Sequence, residues 1–438
     1  MDRRPLLITG GRVVDPASGI DGPRDILISN GKIAAVSRNI RLGRGVEALV
    51  TDASGLWVLP GLVDLHVHLR EPGRTEDETV LTGARAAARG GVTTVLTMPN
   101  TVPATDSPAV IARVKKAAAK APVNVLVAAA VTKGQKGEEL TDFERCAAAG
   151  AAAFSDDGFP VTDGGLMRKA LLRAKKTGLP LLDHAEDLGA TGAGVLGEAA
   201  AKRLKVQAIP PESEVLMAAR DISLCALTGA PLHLCHVSCA GTVELLREAK
   251  RQGLPVTAEA APHHFTLTEA QVPPGRAAAD WKMKPPLRGA ADRAAVRAAL
   301  ADGTIDCVAT DHAPHSADKK AAGVCGAPFG VIGLETSLAL SLELWRAGLL
   351  SPRALVERLS AAPARILGLK AKGTLRRGAD ADLVLVDPAR AWTPRAPWAS
   401  KSRNTPFAGR ALRGRPVLTV VGGLPVWRLG PDGRETWP

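Results

Sequence analysis

His66 and His68 stand two residues apart in Val63-Asp64-Leu65-His66-Val67-His68-Leu69-Arg70, directly behind the apolar run Trp57-Val58-Leu59-Pro60-Gly61-Leu62. On a strand, residues i and i+2 point to the same side, so two imidazoles at this spacing converge on one point near the strand's end. Imidazole nitrogen suits zinc and similar divalent ions, which makes the pair candidate metal ligands. Two partly buried strand histidines are the plainer alternative, and the rest of the chain decides between them. Further chemistry-bearing residues follow short apolar runs in the same way: Asn100, Asp156 with Asp157, His184, His236, and Asp311 with His312 and His315.

The elements that must position these residues can be read from periodicity. Between about residues 58 and 370, short apolar runs alternate with Ala/Leu/Arg-rich helical stretches such as 78–89, 106–120, 166–176 and 240–251. Strand-helix alternation implies parallel strands. Eight candidate strands cover 57–66, 92–97, 123–131, 151–155, 179–183, 231–235, 254–258 and 305–310. Eight such units predict a (β/α)8 TIM barrel, whose catalytic groups cluster at the C-terminal strand ends, where the residues above fall. Short β-type runs separated by Gly, Asp, Pro and Asn mark both termini. They predict a small β-sandwich domain formed by the N- and C-terminal segments (1–57 and 371–438), with the barrel (58–370) inserted between its halves.

Composition narrows the function classes. The 438 residues include 46% hydrophobic residues, much of this Ala, and no Tyr. No apolar stretch approaches the roughly 20 residues of a membrane-spanning helix, and the apolar part of Met1 to Gly10 is too short for a secretory signal, so a cytoplasmic protein without membrane contact is expected. Six scattered cysteines without a Cys-x-x-Cys pair read as buried free thiols. The net charge of +12 is spread along the chain, and aromatics are only 3%. A nucleic-acid binder would gather its basic residues into a stripe interleaved with aromatics. The charge instead reads as solubility plus attraction for anionic substrates or an acidic partner.

Four histidines and two aspartates from different strands form an N/O donor set suited to zinc, with manganese or cobalt as alternatives. Here the chain resembles the amidohydrolase superfamily, through His66-x-His68, His184, His236 and Asp311. Within it the chain is most similar to the long, class I bacterial dihydroorotase family. The stretches that carry the resemblance are Pro60-Gly-Leu-Val-Asp-Leu-His-Val-His-Leu-Arg-Glu-Pro-Gly73, Thr97-Met-Pro-Asn100, Phe154-Ser-Asp-Asp-Gly158, Asp183-His-Ala-Glu186, His236-Val-Ser238, Ala309-Thr-Asp-His-Ala-Pro-His315, Gly378-Ala-Asp-Ala-Asp-Leu383 and Lys401-Ser-Arg-Asn-Thr-Pro406. Hydantoinases and allantoinases bridge two metals with a carboxylated lysine on the fourth strand, whereas Phe154-Ser155-Asp156-Asp157-Gly158 offers no lysine. Motif alignment puts Asp157 in the ligand position, but neighbouring strand residues face opposite ways and the choice between Asp156 and Asp157 stays open. One departure is Lys284, where the family usually has an asparagine before paired prolines. An ammonium turned to solvent is the simpler expectation.

The resemblance implies reversible interconversion of N-carbamoyl-L-aspartate and L-dihydroorotate, the ring-closing step of pyrimidine synthesis. It implies one or two Zn2+ per subunit held by His66, His68, Asp157, His184, His236 and Asp311. A metal lowers the pKa of bound water from about 15.7 to near 7, and the hydroxide so formed attacks the amide carbonyl. Asp311 is then the general acid/base that moves the water proton to the amide nitrogen. Arg70, a planar fork suited to a carboxylate, is assigned with Asn100 and His315 to the substrate carboxylate, and Pro328, Phe329 and Gly330 to the ring. The likeness also implies a homodimer and complex formation with aspartate carbamoyltransferase. Two alternatives are a hydantoinase- or allantoinase-type cyclic amidohydrolase and a non-catalytic subunit supporting aspartate carbamoyltransferase. Members of the latter group typically lose metal histidines, and this chain keeps all four.

Overall fold

A computed structural model describes residues 4–43 and 47–437. Met1 to Arg3, part of the stretch read above as lacking a secretory signal, lie outside the described residues. Eight parallel strands form the first sheet: Leu62–Val67, Val92–Thr97, Asn124–Ala129, Ala153–Ser155, Leu181–Asp183, Leu232–Leu234, Val256–Ala260 and Cys307–Val308, each paired with its sequence neighbour. A parallel bridge between Val67 and His312, with His68 N donating to His312 O at 2.8 Å, joins the last strand's exit to the first and closes the barrel. Val63, Leu65, Leu96, Met98, Ala128, Ala153, Leu182, Cys235, Cys307 and Ala309 fill the interior, and Ala362, Ala364 and Leu367 plug it.

The second sheet takes five strands from the N-terminal segment and four from the C-terminal segment. Trp57–Pro60 stitches its halves together, lying antiparallel to Leu383–Val386 and parallel to Arg12 and Val13. Its core holds Ile8, Val13, Ile26, Ile28, Ile33, Val58, Leu383, Leu385, Leu418 and Val420.

The strand expected over 57–66 is therefore two strands in two sheets. Gly61, whose N–H donates to Asp382 O at 2.9 Å, marks the crossing. A Cβ there would meet Thr93 Oγ1 at 2.1 Å, so glycine alone permits this approach. Trp57 to Val67 are buried throughout, and without an exposed face there is no alternation to reveal the break.

Among the described residues, no helix is long and apolar enough to cross a membrane. Five cysteines are buried free thiols, as expected, and Cys325 is exposed. In the layer between barrel and helices, Phe154 stacks on Phe143 with ring centroids 4.0 Å apart, both fully buried. Phe154→Ala should lower unfolding free energy by about 3–5 kcal/mol through lost burial and a cavity, checked by urea denaturation. A cost within error of zero would show that the layer collapses around the gap.

Candidate active site

The first barrel strand aims two imidazoles inward only because its alternation breaks. Val63 and Leu65 face the interior, so strict alternation would turn His66 outward. A register irregularity between Asp64 and Val67 inserts one residue's phase shift. Val67 joins the outer layer, while the His66 and His68 rings lie 5.4 Å apart on the inner side. Asp64 supports this kink: its buried carboxylate accepts from His66 N at 3.1 Å and Thr310 N at 3.1 Å. Burial pushes the Asp64 carboxyl up to about 6.

Asp157 sits at the centre. Its Oδ1 lies 3.2 Å from His66 Nε2, 3.3 Å from His184 Nδ1 and 3.5 Å from His236 Nε2, and its Oδ2 lies 3.4 Å from His68 Nε2. Two trios result, His66/His68/Asp157 and Asp157/His184/His236, each with ligand atoms within 4.8 Å of one another and sharing one carboxylate. Asp311 adds Oδ1 at 3.2 Å from His68 Nε2 and 3.7 Å from His66 Nε2. Asp156 points elsewhere, accepting from Val131 N at 2.8 Å and from Thr132 N and Oγ1, and so fastens the loop after the third strand. Asp157 is pinned from three sides: its N–H donates to Ser155 Oγ, and its carbonyl accepts from Asn100 Nδ2 and Gln135 Nε2.

These residues fit a divalent cation. Of the atoms facing this centre, His66 Nε2 and Asp157 Oδ1 are buried and lack a hydrogen-bond partner among the described residues, a costly arrangement unless another group uses the lone pairs. The local field also favours positive charge. Burial acts to lower His66 and His184, yet Asp157, with Cys235 and Glu259 around His66 and Glu186 beside His184, holds His66 well above its ordinary range and His184 at about 10. Asp311 goes the other way: burial, with the charges of Asp157 and Glu259, raises it to about 7 against His66 and His184.

A cavity of about 260 Å³ opens beside this centre, lined by Arg70, Asn100, Lys284, His315 and the segment Pro328 to Gly330 among others. Arg70 is buried, its Nε donates to Pro314 O at 3.2 Å, and no carboxylate stands within ion-pair distance among the described residues. Burial and Arg74 lower its guanidinium to about 10. Neighbouring Glu71 accepts instead from Val80 N. His315 Nε2 faces Phe329 O at 2.7 Å and must carry the proton, so the Arg70 guanidinium 3.3 Å away is a neighbour and not its donor. Gly330, at φ 136°, passes so close to Ala313 that a Cβ would meet its carbonyl at 2.6 Å. Arg70, His236 and Asp311 all hold positive φ (58°, 34° and 46°), a conformation that costs such residues about 1–3 kcal/mol each and persists where packing enforces it.

Several site residues escaped the sequence reading. Glu259, alone among Val256-Thr257-Ala258-Glu259-Ala260, accepts from His66 Nδ1 at 2.7 Å; a lone acid in an apolar barrel strand was the available signal. Glu186, two residues past His184, takes His184 Nε2 at 3.2 Å. Asn404 holds His315 N, Ala313 O and Gly330 O together, and Lys320 donates to Pro328 O. His312 is structural: it pairs with Glu78 and accepts from Gly333 N. Lys284 does not turn to solvent. Its side chain is 22% exposed, its ammonium lies 3.1 Å from Glu186 Oε1, and it sits 4.7 Å above the Phe329 ring.

Residues 55–241 match the family model described as dihydro-orotase-like. The chain is 51% identical over 432 residues to the dihydroorotase of Anaeromyxobacter dehalogenans (strain 2CP-C), covering 98% of this chain and 99% of that protein. It is 50% identical over 422 residues to the dihydroorotase of Pelotomaculum thermopropionicum, covering 95% and 97%. Among solved structures it is similar to the L-hydantoinase (dihydropyrimidinase) of Arthrobacter aurescens, at 28% identity and a TM-score of 0.85 over 96% of this chain and 95% of that one. The D-hydantoinase (dihydropyrimidinase) of Thermus sp. superposes with a TM-score of 0.82 at 26% identity, covering 99% and 97%.

Proposed function

The chain belongs to the dihydroorotase family and is a cyclic amidohydrolase, and on that premise we propose that it interconverts N-carbamoyl-L-aspartate and L-dihydroorotate. The observation that carries this choice of substrate is Arg70, a buried guanidinium facing the cavity without a carboxylate partner among the described residues. A ring bearing a carboxylate supplies the missing partner, and an uncarboxylated hydantoin or dihydropyrimidine does not.

His66, His68, Asp157, His184, His236 and Asp311 would hold up to two metal ions, zinc in our reading, with Asp157 shared between them. A metal bound there would supply polarisation of the scissile carbonyl and acidification of a water molecule. Asp311 accepts the proton of the attacking water and delivers it to the amide nitrogen, which is otherwise a poor leaving group; in ring closure the proton travels back. Arg70 clamps the substrate carboxylate with Asn100 beside it, and His315 lines the same cavity while its Nε2 proton holds Phe329 O. Pro328, Phe329 and Gly330 form the wall against the ring. The Lys284–Glu186 pair keeps an ammonium on the cavity's rim, neutralised locally yet available to the field felt by a dianion.

The test is turnover by the purified, zinc-supplied protein on L-dihydroorotate, hydantoin and dihydrouracil in parallel. Turnover confined to dihydroorotate, abolished by chelation and restored by zinc, is the expected result. Turnover of only the uncarboxylated rings would move the chain to the hydantoinase reading, which its structural neighbours favour. Silence relieved by added aspartate carbamoyltransferase would make that enzyme an obligate partner, and silence throughout would sink the catalytic reading.

A further inference from the structure

Behind the paired trios lies a second polar layer that the reaction does not use. Glu259 projects from the seventh strand into the barrel and is fully buried. Its Oε1 lies 2.7 Å from His66 Nδ1, its Oε2 lies 3.1 Å from His233 Nε2, and Oε1 also accepts from His236 N at 3.4 Å. His233, fully buried on the sixth strand, meets Thr257 Oγ1 at 2.8 Å through Nδ1.

The proton positions follow from donor and acceptor chemistry. A carboxylate accepts only, so His66 Nδ1 and His233 Nε2 carry hydrogens. With His233 Nε2 donating to Glu259, Nδ1 is the nitrogen left to pair with the Thr257 hydroxyl. With His66 Nδ1 committed to Glu259, Nε2, 3.2 Å from Asp157 Oδ1, is the nitrogen left to face a cation. The hydrogen bonds therefore converge on the Glu259 carboxylate, from Thr257 through His233 on one side and from His66 on the other, and they link strands one, six and seven behind the centre. A carboxylate behind a ligating imidazole fixes its tautomer and raises its basicity.

We propose that Glu259, held by His233 and Thr257, is the positioning residue that makes His66 a strong metal ligand and so sets the affinity of the His66/His68/Asp157 position. The inference rests on the metal-centre reading above. Glu259 touches neither substrate nor the reacting atoms. It acts by orienting His66 and by placing a negative charge one imidazole's width from the cation.

The experiment measures zinc affinity by chelator competition, and the visible absorption of the cobalt-substituted protein, for the full chain and for Glu259→Gln, with Glu259→Asp as the conservative variant. Glu259→Gln should weaken zinc binding roughly 10- to 100-fold and shift the cobalt spectrum, Glu259→Asp should recover part of the loss, and the metal-free proteins should melt alike. Wild-type affinity and an unchanged cobalt spectrum in Glu259→Gln would overturn the proposal. So would an affinity loss matched by an equal loss of folded protein, which marks a purely structural carboxylate. Should Glu259→Gln fail to fold, the near-isosteric Thr257→Val decides: about two- to tenfold weaker zinc binding is expected from one lost hydrogen bond, and no change overturns it. If the unsubstituted chain itself binds no zinc, the metal-centre reading falls first, an outcome distinct from a zinc-binding chain indifferent to Glu259.

Discussion

Asp311→Asn should keep its metal and lose most of its turnover, by roughly 10²- to 10⁴-fold, the usual contribution of a positioned general acid/base. The substitution is nearly isosteric and leaves an amide oxygen where Oδ1 stood, 3.2 Å from His68 Nε2. Shared Asp157 and all four histidines are untouched, so metal content measured by elemental analysis should stay near that of the parent. An amide cannot accept the water proton, and by microscopic reversibility both directions should fall by the same factor. Hydrolysis of dihydroorotate and cyclisation of carbamoyl aspartate are both measurable and must agree. Metal loss in proportion to activity would reduce Asp311 to a ligand, and near-normal turnover would place the proton carrier elsewhere. The positive φ at Asp311 fits a side chain forced to one place by the closing strand.

Arg70→Met should cost kcat/KM for dihydroorotate about 10²- to 10⁴-fold, from the roughly 3–5 kcal/mol lost when one partner of a buried ion pair is removed. Any residual turnover of dihydrouracil or hydantoin should be unaffected, because those rings bring no carboxylate. Arg70→Lys should fall between, since an ammonium keeps the charge but not the planar fork. Stability offers an independent readout. In the free protein the guanidinium is buried, lowered by that burial to about 10, and paired with no acid among the described residues. Replacing it with Met should therefore leave the melting temperature unchanged or higher. An equal loss on all three rings, or a marked fall in melting temperature, would assign Arg70 to scaffolding.

Much of the architecture was legible because its signals are local. Strand-helix alternation announced the barrel, and the expected strand at 92–97 and the helix at 240–251 match the observed boundaries. The alternation failed at Trp57 to Val67, where burial on every side erased the pattern that would have divided one strand from two. For the site, residue type and strand-end position were enough to nominate the four imidazoles and the second carboxylate that gather around the Asp157 carboxylate. They could not rank Asp156 against Asp157, since both follow the same apolar run and only the Thr132 backbone, distant in sequence, claims one of them.

By itself the amino-acid sequence determined the types of the candidate ligands, their order around a barrel, and the guanidinium beside them, because residue identity and periodicity are properties of the chain. Convergence belongs to the tertiary structure. The irregularity after Asp64 turns His66 inward, Glu259 arrives from a strand nearly two hundred residues away to hold it, and Glu186 draws Lys284 in from solvent. Lone pairs and buried charges find their partners through space, and the free energy of leaving them unpaired is settled only once the strands have closed.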